Sequence, residues 1–199
     1  MPGMTHDLYE TGDPALADVP RKVWTREEAH ALVESGFPHA EQWELIEGEL
    51  IDKMGKKRPH VIWQGIMYEW LLSVFGGGRV ESEAPSDVAA EDNRTSEPEA
   101  DLKVLRRSSR EYTSNPQPED ILLVVEISDS TVRFDLSVKA KLYARAAIQE
   151  YWVLDIPGQQ LVVHREPKEG RYRSVISYGT GEEVAPLAAP EARFCLGRL

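Results

Sequence analysis

The stretch DILLVVEISDST, residues 120–131, constrains the fold more than any other part of the chain. Its unbroken aliphatic run, Ile121 to Val125, fits a short strand buried on both faces, the kind found near the centre of an α/β sheet. Glu126 follows directly. Burying an unpaired carboxylate is costly, so the glutamate has three readings: it marks the wet end of the strand, it pairs with a buried cation, or it holds a metal ion.

The flanking sequence supplies helices and further strands. Thr25 and Glu28 form a capping box for a helix running to about Ser35, with Gly36 as its left-handed stop. WELIEGELID (43–52) alternates like a strand pair turning at Glu47-Gly48. Apolar residues at 62, 66, 67, 70, 71 and 74 have helical spacing, and Gly76-Gly77-Gly78 ends that helix. RVESEA (79–84), SDVAAE (86–91) and DLKVL (101–105) read as short strands, with NRTSEPEA as a turn-rich connector and 106–120 as a long polar loop. A helix is expected over 135–147, Asp135 sitting near its positive N-terminus. YWVLD (151–155), QLVVHRE (160–166) and RYRSVISYG (171–179) then predict a β-meander. These elements imply one mixed α/β (α+β) domain over 23–199, with helices packed on a mostly antiparallel or mixed sheet, preceded by a flexible tail over 1–22.

Common catalytic signatures are absent: no GxGxxG, Walker loop, HExxH or GxSxG occurs. What remains is a set of carboxylates on strands. Leu122, Val124, Glu126 and Ser128 share one strand face, and Asp101 opens another strand. If the two strands are neighbours, Asp101 and Glu126 meet, and they repel unless a cation lies between them. Such hard oxygen ligands suit Mg²⁺ or Mn²⁺. The bland reading, in which each acid solvates a strand end, stays open on these residues alone. Asp135 and Lys139 are four apart on one helical face, ordinarily a surface ion pair. Turned toward the sheet, that face would instead set Lys139 beside the carboxylates.

The run VVEISDST–(3)–DLSVKAKLYARAAIQEYWVLD resembles the signature of the Uma-two family of bacterial restriction endonucleases, within the PD-(D/E)XK nuclease superfamily. WTREEAHAL, WELIEGEL, PHVIWQGIMYEWL and EPEADLKVL fall in the order of that family's preceding elements. The resemblance implies a restriction endonuclease-like mixed central β-sheet flanked by helices, with a C-terminal β-meander. It implies that Asp101 and Glu126 hold the metal, that Glu44 is a further metal-binding acid, and that His60 belongs to the catalytic set. Where the superfamily has a lysine two residues after the second acid, this chain has Ser128, and Lys139 is similar to the displaced lysine of the family. Two departures stand out. The first acid follows Pro98-Glu99-Ala100 rather than a proline directly, and Ala147 replaces a glycine before Glu150-Tyr151-Trp152.

The implied activity is metal-dependent endonucleolytic hydrolysis of phosphodiester bonds, with DNA as substrate and Mg²⁺ or Mn²⁺ as cofactor. Arg106, Arg107 and Arg110, beside the Asp101 strand, are candidate phosphate contacts. The net charge of −11 argues against a broad basic footprint, and it favours the rival expectation of a catalytically weak or inactive nuclease-fold module that binds nucleic acid or protein. Acid–base hydrolysis by carboxylates alone, as in glycosidases, fits less well with strand-borne acids and Lys139. No apolar run approaches the roughly 18 residues of a membrane span, the start of the chain lacks a signal-peptide pattern, and the lone Cys195 excludes a multi-cysteine zinc site. A cytoplasmic protein is expected; Val162, Val163 and Ile176 are read either as the interface of a homodimer or equally as part of the core.

Overall fold

The structure, a computed structural model, describes residues 19–53 and 55–197. Most of the expected 1–22 tail therefore lies outside the described residues. From Trp24 the chain is tied down, its amide donating to the Gly48 carbonyl at 2.8 Å.

Helix α1 (Arg26–Glu34) starts at the capping box expected from its sequence, with Thr25 and Glu28 each satisfying the other's amide. Strands β1 (Trp43–Ile46) and β2 (Glu49–Asp52) form a two-stranded hairpin. Its turn needs left-handed backbone at both central positions, Glu47 (φ 51°) and Gly48 (φ 81°). Helix α2 (Arg58–Phe75) follows, then β3 (Val80–Pro85), β4 (Glu99–Leu105) and β5 (Ile121–Ser128).

The segment SDVAAE forms no strand. The Ser86 and Asp87 amides donate to the Pro98 and Pro116 carbonyls, and the chain turns at Ala89. The guanidinium of Arg26 reaches Asp87, Asn93 and the Ser96 carbonyl, which fixes this stretch as a tethered loop.

Beyond β5 the helical segment begins earlier than its sequence suggests. A short turn, α3 (Val132–Phe134), passes through a π-helical turn (Asp135–Lys139) into α4 (Ala140–Arg145). Asp135 is thus one turn inside the segment rather than at its positive end. Strands β6 (Glu150–Asp155), β7 (Gln160–Lys168) and β8 (Arg171–Gly179) complete the meander.

The main sheet has six strands in the order β3-β4-β5-β6-β7-β8. Only β5 and β6 run parallel, which requires a crossover, and the α3–α4 segment supplies it. Both faces are covered. Met67, Leu71 and Phe75 of α2 pack with Leu102, Leu123, Val125 and Trp152 on one side. Leu142 and Tyr143 of α4 pack with Val124, Tyr151 and Val153 on the other. This double cover makes β5 apolar along almost its whole length, as the aliphatic run predicts. It also takes Val162 and Val163 into the core, at 5% and 2% exposure. The expected apolar interface of the meander therefore reduces to Ile176, with Val175 beside it.

The end of α4 explains Ala147. The Ile148 amide donates to the Tyr143 carbonyl and the Ala147 amide to that of Ala144, both at 3.1 Å. This is a Schellman closure, and it places Ala147 at φ 56°, where a Cβ is strained by about 1 kcal/mol. Its side chain is exposed and packs against nothing essential. Ala147→Gly is therefore expected to raise stability by about 1 kcal/mol, or roughly 2–4 °C in Tm, measured by thermal melting.

Candidate active site

Strand pairing sets the first part of the site. In the β4–β5 ladder Leu102 faces Val125, so Asp101 and Glu126 come one position further along, side by side. Each carboxylate braces the other's strand. The Ile127 amide donates to Asp101 Oδ2 at 2.8 Å, and the Asp101 amide donates to Glu126 Oε2 at 3.3 Å. On the other side of β4, the pairs Ser82–Leu102 and Ala84–Ala100 put Glu83 opposite Asp101. Glu83, Asp101 and Glu126 therefore form a row of acids across three adjacent strands.

The crossover supplies the cation for one end of this row. Lys139, in the π-helical turn, lies 3.0 Å from Glu126 Oε1 and 2.9 Å from Glu44 Oε1, with all three side chains at most 6% exposed. A π turn inserts an extra residue into the helical register and is frequent at functional sites; here it carries Lys139 toward the sheet. Glu44 arrives from β1, whose hairpin is pinned to the strand leading into β4 by the Leu45–Glu97 bridge. Its second oxygen accepts from the Glu99 amide at 3.3 Å. The Tyr143 hydroxyl donates to Glu126 at 3.3 Å.

Asp135 and Lys139 do not form the surface pair that their spacing suggests. Both are buried, and Asp135 accepts from Ser128 Oγ and Thr131 Oγ1, each at 2.7 Å. Ser128 thus fills the position two after Glu126 with a hydroxyl that ties strand to helix, and the positive charge comes from Lys139.

Around Asp101 the partners come from α2 and the loop before it. Lys56 Nζ lies 2.9 Å from Asp101 Oδ1, 2.7 Å from Glu83 Oε1 and 3.0 Å from Gln64 Oε1. His60 Nε2 is 3.2 Å from Asp101 Oδ2, and His60 Nδ1 is a buried ring nitrogen with no hydrogen-bond partner among the described residues. Lys56 and Glu83 went unassigned in the sequence. The basic run Lys56-Lys57-Arg58, just ahead of His60, is the signal that could have found the lysine.

These contacts drive the titration of the site. Burial pushes the Asp101 carboxyl up, but His60, Lys56 and the Ile127 amide outweigh it and hold the group at about 2. Burial raises Glu126 well above the usual carboxylate range; Lys139 opposes this, while Asp101, Asp135 and Glu44 add to it. Burial would also lower Lys139, yet Glu126 and Glu44 keep it well above the usual lysine value, and so charged. The inner pocket is short of positive charge.

A cleft of about 460 Å³ opens onto these groups, lined by Asp101, Glu126, Glu44, His60 and Lys139 among others. Lys53, Lys56 and Lys57 stand at its walls. Arg106, Arg107 and Arg110 are not brought there. They follow the far end of β4, Arg106 being five residues or about 16 Å along the strand from Asp101. Arg107 stacks on Tyr112 at 4.5 Å, and Arg106 donates to the Glu119 carbonyl.

Among the described residues, no three His, Cys, Asp or Glu side chains are preassembled as a metal cage; the ammonium groups of Lys56 and Lys139 lie between the carboxylates instead. The donor set nonetheless suits a hard divalent cation. It offers carboxylate oxygens in a row from β3, β4 and β5, the ligand type such a cation takes.

This architecture is shared with a solved nuclease-fold protein from Anabaena variabilis ATCC 29413, described as a "putative nuclease belonging to DUF820". The TM-score is 0.62 at 18% identity, over 89% of this chain and 96% of that one, a likeness of fold. The chain itself belongs to the Uma-two (Uma2) family, described as "Putative restriction endonuclease", whose profile matches residues 26–196. No curated protein matches the sequence. Among the described residues, no helix is long and apolar enough to cross a membrane.

The Lys139 contacts carry a stability prediction. Removing the cation from a buried pair strands the carboxylates and typically costs about 3 kcal/mol or more. Lys139→Met is expected to lower Tm by roughly 6–12 °C for a chain of this length, whereas Lys57→Met at the exposed rim leaves it within a degree or two. Differential scanning calorimetry checks both.

Proposed function

We propose that this protein is a metal-dependent endonuclease that hydrolyses phosphodiester bonds in DNA. The observation that carries the reading is the convergence of Asp101 and Glu126 from neighbouring strands, with Glu44 and Lys139 beside Glu126. Family membership supports nuclease chemistry in general.

Asp101 and Glu126, with Glu44, would hold Mg²⁺ or Mn²⁺. When bound, such an ion lowers the pKa of a coordinated water and stabilises charge on the scissile phosphate. The protein's own groups prepare that site. His60 and Lys56 favour the ionised form of the Asp101 carboxyl against the effect of its burial. His60 fixes which way the Asp101 carboxylate faces. Lys139 keeps Glu126 and Glu44 oriented and places a fixed positive charge behind the reacting phosphate, in a site where electrostatic effects are strong. Lys53, Lys56 and Lys57 on the cleft wall would meet the sugar-phosphate backbone. They give an acidic chain a locally basic approach.

The alternative is a nuclease-fold module that binds nucleic acid or protein with little or no catalysis. The lysines already neutralising the carboxylates favour it. One experiment separates the two: incubate supercoiled plasmid with the protein in Mg²⁺ or Mn²⁺ and measure nicking. Asp101→Asn and Glu126→Gln are each expected to reduce nicking more than about 100-fold, beyond the loss typical of an outer-shell partner, with circular dichroism unchanged. Nicking that survives Asp101→Asn, or DNA retention with no metal-dependent nicking in the wild type, sinks the nuclease reading.

A further inference from the structure

Like charges brought side by side on neighbouring strands are unfavourable, yet the pairs Ser82–Leu102 and Ala84–Ala100 bracket Glu83 and Asp101 and bring them together across β3 and β4. Glu83 is also the one residue between Val80 and Pro85 that drops out of the ladder, at φ 50°, a conformation disfavoured for a side chain of this kind. Its carboxylate and that of Asp101 nevertheless close on the same atom, Lys56 Nζ, and Gln64 Oε1 adds a third oxygen. One ammonium therefore sits among three oxygens drawn from β3, β4 and α2.

Lys56 reaches this position from a different setting than Lys139. Lys139 projects from the interior of a helical segment and is sealed beneath the acids, with 6% of its side chain exposed. Lys56 lies in the non-helical stretch before α2, on the solvent side of Asp101, with 27% of its side chain exposed. A lysine stem is long and flexible, so Lys56 can leave the carboxylates without disturbing the core, which Lys139 cannot.

Resting on the nuclease reading above, we propose that Lys56 is a resident counter-cation: it occupies the outer face of Asp101 until a divalent ion takes its place, and it then serves the DNA backbone as a phosphate contact. Glu83 and Gln64 are the positioning residues of the resting state. Metal binding and release of the lysine toward DNA are thereby linked, because one Asp101 oxygen cannot serve both cations at close range. The ammonium competes with the ion before DNA arrives and adds to DNA affinity afterwards. A permanently fixed structural ion pair would do neither.

Two titrations test this without any turnover measurement. Mn²⁺ binding is followed by calorimetry in the absence of DNA for the wild type, Lys56→Met, Lys56→Gln, Lys57→Met and Asp101→Asn. Binding of a short DNA duplex is followed by fluorescence anisotropy in Ca²⁺ for the first four. Lys56→Met and Lys56→Gln are expected to bind Mn²⁺ at least tenfold more tightly than the wild type, and the duplex at least threefold more weakly. Lys57→Met removes the same charge one residue away and is expected to change Mn²⁺ affinity less than threefold.

Detectable Mn²⁺ binding in Lys56→Met with none in the wild type also supports the proposal. Equal or weaker Mn²⁺ binding in both Lys56 variants overturns it, as does an equal gain in Lys57→Met. If Asp101→Asn abolishes Mn²⁺ binding while the Lys56 variants match the wild type, the nuclease reading survives and this inference alone fails. If neither the wild type nor Lys56→Met binds Mn²⁺, both fail together.

Discussion

The ammonium of Lys139, buried between Glu126 and Glu44, is the contact on which the site's construction depends. It joins three parts of the chain that are far apart in sequence: the β1–β2 hairpin, the central strand β5 and the crossover segment between β5 and β6. Each partner would be unfavourable there alone, since a buried charge needs both a counter-charge and hydrogen bonds. The hydroxyl of Tyr143 and the amides of Asp101 and Glu99 supply those bonds. The carboxylates are consequently held in place by the same contacts that make their burial tolerable. In a protein whose chemistry relies on charge, this turns a folding cost into preorganisation.

The distribution of charge matters more than its total. The chain carries −11 overall, yet the cleft brings lysines from the end of the hairpin and from the approach to α2 to its walls. Lys53 is itself held by Glu99 at 2.6 Å, and Glu99 stands with Ala100 between Pro98 and Asp101. Glu99 places a further acid on the cleft wall, with its own lysine partner.

Much of the architecture was legible in the residues. The capping box at Thr25, the Glu47-Gly48 turn, the α2 periodicity and the aliphatic β5 all signal structure through local chemistry, and each formed where expected. SDVAAE misled because its alternation is real while its amides are claimed by distant carbonyls, a tertiary fact that no local pattern carries. In the helix after β5, the polar residues before Asp135 obscure a start at Val132. The pairing of Asp101 with Glu126 could be stated only conditionally, since strand adjacency is not written in either strand. Arg106, Arg107 and Arg110 lie away from the cleft for a related reason: proximity in sequence to Asp101 becomes distance when the intervening residues are fully extended. Lys56 and Glu83 were missed because neither belongs to a motif. Their meeting depends on the β3–β4 register and on where the loop before α2 returns.

The irregular residue at Glu83 has a consequence apart from any chemistry. β3 is an outermost strand of the main sheet, and a regular outermost strand presents unpaired amides and carbonyls on which another chain can grow. Here that strand carries Glu81 and Glu83, has one residue turned out of the extended conformation, and ends in Pro85. A second molecule approaching in solution would meet acidic side chains and a broken row of donors. The kink that directs a carboxylate toward Asp101 also protects this border of the sheet against edge-to-edge aggregation.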